Sequence, residues 1–158
     1  MIAKRNGALG TLEMVLVLVL SGCAKGPPPV TEVSGTVLLD NKPLPQARVE
    51  FVPDLENFGA EMNSSAITDD QGHFTLSFTY KGEPGAVVGK HRVLVTEPPT
   101  PAEFRRQDEQ TQAKYAQYRA KLKNRPIPAA YGNVGQTPLT VDVKPDQKTY
   151  ELQLNRKP

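Results

Sequence analysis

Cysteine, tryptophan and long apolar runs are scarce in this chain of 158 residues, and each scarcity excludes a class of protein. Cys23 is the only cysteine, so no intrachain disulfide staples the fold. His73 and His91 are the only histidines, and no His-x-x-x-His or Cys-x-x-Cys spacing occurs, which argues against a zinc site. The absence of tryptophan and an aromatic content of 6% argue against an open platform for stacking sugars.

An excess of charge of one sign is also lacking. Residues 23–158 contain 17 basic and 16 acidic residues, a formal net charge of +1, so no nucleic-acid partner is predicted. There is no Gly-x-Ser-x-Gly motif, and Gly82, Gly85 and Gly89 precede a strand pattern and not a helix, so they do not form a phosphate-binding loop. We therefore predict no catalytic residue and no cofactor.

The amino terminus has the composition of a secretory signal. Lys4 and Arg5 precede a mostly apolar run at residues 8–20, which small residues follow. A permanent membrane span needs about 20 consecutive apolar residues. This run is shorter and is interrupted by Thr11 and Glu13, so we predict a cleaved signal peptide over residues 1–22.

The signal ends in Leu20-Ser21-Gly22-Cys23, which resembles the lipobox of bacterial lipoprotein precursors. The resemblance implies cleavage after Gly22 and diacylation of the Cys23 sulfur, and two or three acyl chains together form a lasting anchor. A lone free thiol would otherwise be a liability in an oxidising compartment. We expect a bacterial protein bound to the cell membrane through Cys23 and facing the periplasm or the exterior. Ala24 leaves inner and outer membrane open.

Residues 24–32 include three consecutive prolines, which favour an extended polyproline geometry. We predict a tether over residues 23–32 that reaches roughly 25 Å when fully extended. A single β-domain is predicted to follow over residues 33–158.

Beyond the tether, short runs with apolar residues at every second position predict an all-β fold of seven strands. Phe74, Leu76 and Phe78 are predicted to line the buried face of one strand, which forms a hairpin with a brief strand at 65–68. The predicted strands lie at about 33–39, 49–53, 65–68, 74–78, 91–96, 139–143 and 150–154.

One helix is predicted to interrupt this pattern. Thr100-Pro101-Ala102-Glu103 fits a capping box with proline at the first helical position, so we expect a helix over about 101–123. A weakly amphipathic stripe should pack on the edge of the sandwich or close one of its open ends. The stripe consists of Phe104, Thr111, Tyr115, Tyr118 and Leu122.

Four segments occur in a characteristic order: Val-Ser-Gly-Thr-Val at 33–37, Lys-Pro-Leu-Pro-Gln-Ala-Arg-Val at 42–49, Thr-Asp-Asp-Gln-Gly-His-Phe at 68–74 and Gly-Lys-His-Arg-Val at 89–93. This order resembles the carboxypeptidase regulatory-like, or transthyretin-like, domain of small exported bacterial lipoproteins. The resemblance covers residues 33–96 and, less specifically, 139–154. It implies a single seven-stranded Ig/transthyretin-like β-sandwich with a helical insertion. Such domains are non-catalytic and are often paired with enzymes or surface assemblies, and no active-site residue is carried over.

The remaining candidate chemistry is limited. Asp69 and Asp70 form a weak candidate calcium site, although a plain turn with an aspartate cap and Gly72 at positive φ explains the same residues and is favoured. His91 shares a face with apolar residues and is expected to be a partly buried edge residue, whereas His73 is expected to be exposed.

Three functions follow in order of preference. The first is an interaction or structural module of the cell envelope with a protein or glycan partner, bound through loops at one end or through the insertion at 100–137. The second is a carbohydrate-binding accessory domain that uses Tyr115, Tyr118 or Tyr131. The third, a hydrolase, requires a serine, a histidine and an acid to converge in the fold.

Overall fold

A computed structural model describes residues 28–56 and 58–156. These residues are predominantly β, with eleven strands in three sheets, one α-helix and three short 3-10 helices. The helix, α1, is Glu109–Lys121, and the strands are β1 Val30–Thr31, β2 Ser34–Leu39, β3 Lys42–Pro43, β4 Arg48–Pro53, β5 Ser64–Ile67, β6 His73–Thr75, β7 Ser77–Phe78, β8 Ala86–Val87, β9 Gly89–Thr96, β10 Thr140–Val143 and β11 Thr149–Leu154.

Two larger sheets and a small one make up the β-domain. The five-stranded sheet has the order β10-β9-β4-β5-β7, with every pair antiparallel. The second sheet has the order β11-β2-β3, and β6 also pairs with β2. β11 runs parallel to β2, so the last strand of the chain lies beside the first long one. β1 and β8 form the third sheet.

The core is built from alternate residues of the two larger sheets. Because side chains along a strand point to opposite faces in turn, one set of alternate positions is buried while the other is not. This pattern confirms the predicted inner faces of the first, second and fifth strands. The fully buried members are Val37, Leu39, Val49, Phe51, Val93, Val95 and Leu154.

The count of seven strands in one simple sandwich is wrong, and the hairpin predicted between 65–68 and 74–78 forms only in part. β6 pairs with β2 in one sheet, whereas β7 pairs with β5 in the other. Leu76 is the crossing point, and its N–H donates to the carbonyl of Val33 at 2.9 Å. Because Phe74, Leu76 and Phe78 are all buried, an alternating pattern cannot reveal the change of partner.

The turn before β4 depends on a buried threonine. Gln46 has a φ of +52°, which is uncommon for a residue with a side chain. The Thr68 hydroxyl donates to the carbonyl of Leu44 at 2.7 Å and accepts from the N–H of Ala47 at 2.9 Å. Thr68 also accepts from the N–H of Gln46 through its own carbonyl. These three bonds fix the backbone on both sides of Gln46 and so hold Gln46 at its positive φ.

The helix begins eight residues later than the capping box predicts. Thr100 does not cap it, and residues 102–104 form one 3-10 turn. Instead, the Asp108 carboxylate accepts from the N–H and the hydroxyl of Thr111, each at 2.8 Å, and the backbone bond is the main cause that lowers the pKa of Asp108. An aspartate at this position satisfies an amide that the first helical turn leaves free.

Part of the predicted tether belongs to the folded domain. β1 pairs with β8, and the N–H of Val88 donates to the carbonyl of Pro29 at 2.8 Å, whereas residues 23–27 lie outside the described residues. The three prolines predict an extended chain, but they cannot reveal a two-residue strand beside them.

The domain has two opposite ends, separated by the length of β2. The six residues of β2 rise about 17 Å from Ser34 to Leu39. We call the end that holds residues 28–31 the β1 pole. We call the end where Asn124 contacts Leu39 the insertion pole.

Gly35 allows β2 to approach its neighbours closely. A Cβ atom there would overlap the carbonyl oxygen of Tyr150 and would lie 2.7 Å from the Phe74 ring. We expect Gly35→Ala to lower the free energy of unfolding by about 3 kcal/mol, at the upper end of overpacking costs. Denaturant unfolding measures this. Gly132→Ala is the control, since its nearest neighbour is a Thr96 methyl at 3.2 Å, and equal losses in the two variants would contradict the argument.

Candidate interaction site

The lipobox residues Leu20, Ser21, Gly22 and Cys23 lie outside the described residues, and anchoring through Cys23 stays a prediction. Within residues 28–56 and 58–156, no helix is both long enough and apolar enough to cross a bilayer. The site with the most distinctive geometry in this part of the chain is the insertion at 100–137.

Asn124 fixes the end of the insertion to the β-domain. It has a φ of +57°, a conformation that asparagine tolerates better than most residues. Its side-chain amide donates to the carbonyls of Leu39, Lys42 and Pro43 at 3.0–3.2 Å. The β2–β3 turn and the insertion are therefore held together at one point.

Arg125 forms the second half of this attachment. Its Nε donates to the Glu97 carboxylate at 2.8 Å, and one terminal nitrogen donates to the carbonyls of Pro45 and Gln46 at 3.0 Å. The side chain is only 14% exposed. Hydrogen bonds to a charged group are stronger than neutral ones. The bonds of Arg125 therefore fix the orientation of the insertion where it meets the β-domain.

The aromatic stripe of the insertion closes on its own 3-10 turn. The ring centroid of Phe104 lies 5.5 Å from that of Tyr115 and 5.4 Å from that of Tyr118, and the two tyrosines stack at 6.2 Å. The Thr100 hydroxyl bonds to that of Tyr115 at 3.2 Å. No residue of α1 is buried. The aromatic contacts expected with the sandwich edge are made inside the insertion instead.

The insertion concentrates basic charge. Residues 100–137 contain seven basic and three acidic residues, which leaves ten basic and 13 acidic residues in the rest of 23–158. Lys114, Arg119 and Lys121 on α1 are exposed, and among the described residues Arg125 is the only basic side chain of the insertion in an ion pair. The net charge of the whole chain conceals this asymmetry, and a count in a sliding window would have found it.

Tyr131 does not belong to an exposed surface. It is 7% exposed, its hydroxyl accepts from the N–H of Asn155 at 2.9 Å, and it belongs to the core. Its predicted role in sugar stacking is therefore wrong. Tyr115 and Tyr118 are half-buried against Phe104.

Asp69 serves the turn in which it lies. One carboxylate oxygen accepts from the N–H groups of His73 at 2.8 Å and Gln71 at 2.9 Å, and the His73 bond is the main cause that lowers the pKa of Asp69. Gly72 has a φ of +78°, as the turn interpretation predicts, and Asp70 is exposed. No cluster of three or more potential metal ligands occurs in the described residues.

His91 is more deeply enclosed than expected. It is 2% exposed, contacts Phe51 with ring centroids 5.7 Å apart, and lies on β9, which has a neighbour on each side and is not an edge. Nδ1–H donates to the Gly89 carbonyl at 2.9 Å, and Nε2 has no partner among the described residues. His73 is exposed, as expected.

The described serines and histidines do not converge. Ser64 is buried, its hydroxyl has no partner among the described residues, and no serine there bonds to either histidine. The contacts of His91 with Phe51 and Gly89 are those of a core side chain.

Burial lowers the pKa of His91 below its ordinary value of 6.5, against opposing effects of the Gly89 carbonyl and Asp142. The unfolded chain then binds more protons than the folded chain at acidic pH. Stability is full above about pH 6.5 and falls as the pH drops below it toward the lowered pKa of the folded chain. Thermal melts between pH 7.5 and 5.5 should show this loss in the wild type and a flatter profile in His91→Phe.

His73→Gln is the control for this measurement, because His73 is exposed. It should retain the wild-type slope. A wild-type slope in His91→Phe, or its loss in His73→Gln, would contradict the assignment to His91.

Comparison of the chain with protein-family models, curated proteins and solved structures gave no match.

Proposed function

We propose that this protein is a lipid-anchored, non-catalytic module of the bacterial cell envelope that binds an acidic protein partner through its insertion. Lipidation of Cys23 would supply the anchor, as the lipobox and the preceding signal pattern indicate. The β-domain would serve as a rigid support, and the insertion would supply the contacts.

The exposed basic side chains of α1, which lie on both sides of its aromatic stripe, carry the proposal. A helix that packs against a core normally shows an apolar stripe. α1 has no buried residue and instead exposes Lys114, Arg119 and Lys121. Arg119 lies 6.0 Å from the Tyr115 ring centroid, and Lys114 and Lys121 are in no ion pair among the described residues. Exposed charges contribute little to folding stability, whereas an excess of charge of one sign attracts a partner of the opposite sign.

The position of the insertion supports the same function. Its attachment through Asn124 and Arg125 lies at the insertion pole, and Pro28 lies at the opposite pole. A chain anchored before Pro28 would therefore present the insertion away from the bilayer. A partner in the aqueous compartment could reach it without competition from lipid.

The fold family belongs to the proposal as well. We take the two larger sheets to be a transthyretin-like sandwich of the carboxypeptidase regulatory-like kind, with a tether before it and the helical insertion at 100–137. The four quoted segments lie in β2, in the turn before β4, in the turn before β6 and in β9. Their order along the chain is what supports this part of the proposal.

A protein partner is favoured over a neutral glycan. Stacking on a sugar needs an open aromatic face. Tyr131 is buried, and Tyr115 and Tyr118 contact Phe104 and each other. The charges on α1 remain accessible, so electrostatic recognition is the stronger basis for binding.

Replacement of the anchor residue tests localisation. Cys23→Ser should move the protein from the membrane fraction to the soluble fraction, because no acyl chain can then be attached at this position. Fractionation and intact mass measure the result. Ser21→Ala keeps a small residue before the cleavage site and should remain acylated. An unmodified Cys23 sulfur in the wild type, or residues 1–22 still attached, would contradict the proposal.

Charge removal on α1 tests partner binding. The triple variant Lys114→Gln, Arg119→Gln, Lys121→Gln should weaken binding roughly tenfold, since three exposed ion pairs of about 0.5 kcal/mol each amount to about one factor of ten in affinity. The partner is first captured by crosslinking in intact cells, and its affinity is then measured with purified proteins at low and high salt.

A matched control removes three exposed lysines at the β1 pole: Lys90→Gln, Lys144→Gln and Lys148→Gln. It should bind like the wild type. Equal weakening in both triple variants, or capture of a polysaccharide instead of a protein, would contradict the assignment to α1.

A further inference from the structure

The distance between the proposed anchor and the folded domain is short. Five peptide units separate Cys23 from Pro28, and a chain of that length spans at most roughly 18 Å. Pro28 and Pro29 already contact the domain, in a pocket of about 350 Å³ that they share with Met62, Phe78 and Tyr80. Pro28 therefore lies within about 18 Å of Cys23, and the surface around this pocket adjoins Pro28.

The most exposed large apolar side chain among the described residues lies at the edge of this pocket. Tyr80 is 59% exposed, and its ring centroid lies 6.3 Å from that of Phe78. Met62 and Phe78 belong to a small buried cluster with Val87, separate from the main core. Tyr80 thus extends an apolar cluster to the surface at the β1 pole.

We propose that the β1 pole is a membrane-contacting surface, with the Tyr80 ring seated in the interfacial region of the bilayer that holds the acyl chains. This inference rests on the proposed anchoring through Cys23. Tyrosine suits such a position because its ring is apolar and its hydroxyl remains hydrated.

Reach and chemistry single out lipid as the occupant. The chain before Pro28 is too short to let the β1 pole move far from the bilayer. Ile67 is 45% exposed, but it pairs with Arg48 near the insertion pole. The short chain before Pro28 therefore does not hold Ile67 close to the bilayer. A protein partner of the β1 pole would have to enter the narrow space between the domain and the lipid.

The contact depends on the aromatic ring and not on charge. Lys81, beside Tyr80, pairs with Glu83 at 3.8 Å, so the nearest basic neighbour of the ring is not a free cation. Attraction to lipid headgroups through paired charges is weak and screened by salt. We therefore expect the Tyr80 ring to be seated in vesicles of zwitterionic lipid alone, without anionic lipid.

The absence of tryptophan from the chain allows a direct test, because one introduced tryptophan is the only indole present. The full-length protein carrying Tyr80→Trp is purified with its lipid from membranes and reconstituted into phosphatidylcholine vesicles with brominated acyl chains. Its emission should shift to shorter wavelength and should be quenched relative to vesicles without bromine. Ile67→Trp is the matched control and should show neither effect.

Vesicle flotation separates failure of this inference from failure of the anchor. If the protein floats with the vesicles but the indole of the Tyr80→Trp variant is not quenched, or that of the Ile67→Trp variant is quenched equally, the proposed orientation is wrong while anchoring stands. If the protein does not float and carries an unmodified Cys23, anchoring fails and the orientation that rests on it fails too. Circular dichroism of both variants checks that the fold is retained.

Discussion

The hydrogen-bond ladder on both sides of β2 is the constraint on which the arrangement of the molecule depends. β11 pairs along its whole length on one side, and β6 and β3 share the other side. A strand held in this way cannot shorten or slip without turning its buried face outward. The separation between the β1 pole and the insertion pole is therefore fixed by the backbone of one strand.

The insertion and the β-domain are stabilised by different kinds of interaction. Its stability comes from a local cluster of three aromatic rings, a capped helix start and two side chains that reach back to the domain. Segments with few buried contacts open at lower free energy than the core that carries them. The conformation of the insertion can therefore change on binding at a small cost in free energy. Its attachment to the β-domain keeps it at the insertion pole.

Much of the β-domain could be predicted from the alternation of apolar residues, because burial on one face imposes a period of two on the sequence. Val37, Leu39, Phe51 and Val93 are buried as that period requires. The period of two does not reveal which strand each strand pairs with. The crossing at Leu76 and the pairing of β1 with β8 depend on contacts between residues distant in sequence, and no local pattern reports them.

The candidate site could be predicted in its location but not in its chemistry. The sequence predicts a binding region at the insertion, but the capping box at Thr100 predicts the wrong helix start, because Asp108, eight residues later, makes the capping bond. The parallel pairing of β2 and β11 has one more consequence. β11 ends at Leu154 beside Leu39, so the chain leaves this sheet at the insertion pole, whereas β2 begins at the β1 pole. A fluorescent protein or affinity handle fused after β11 would therefore be displayed next to α1.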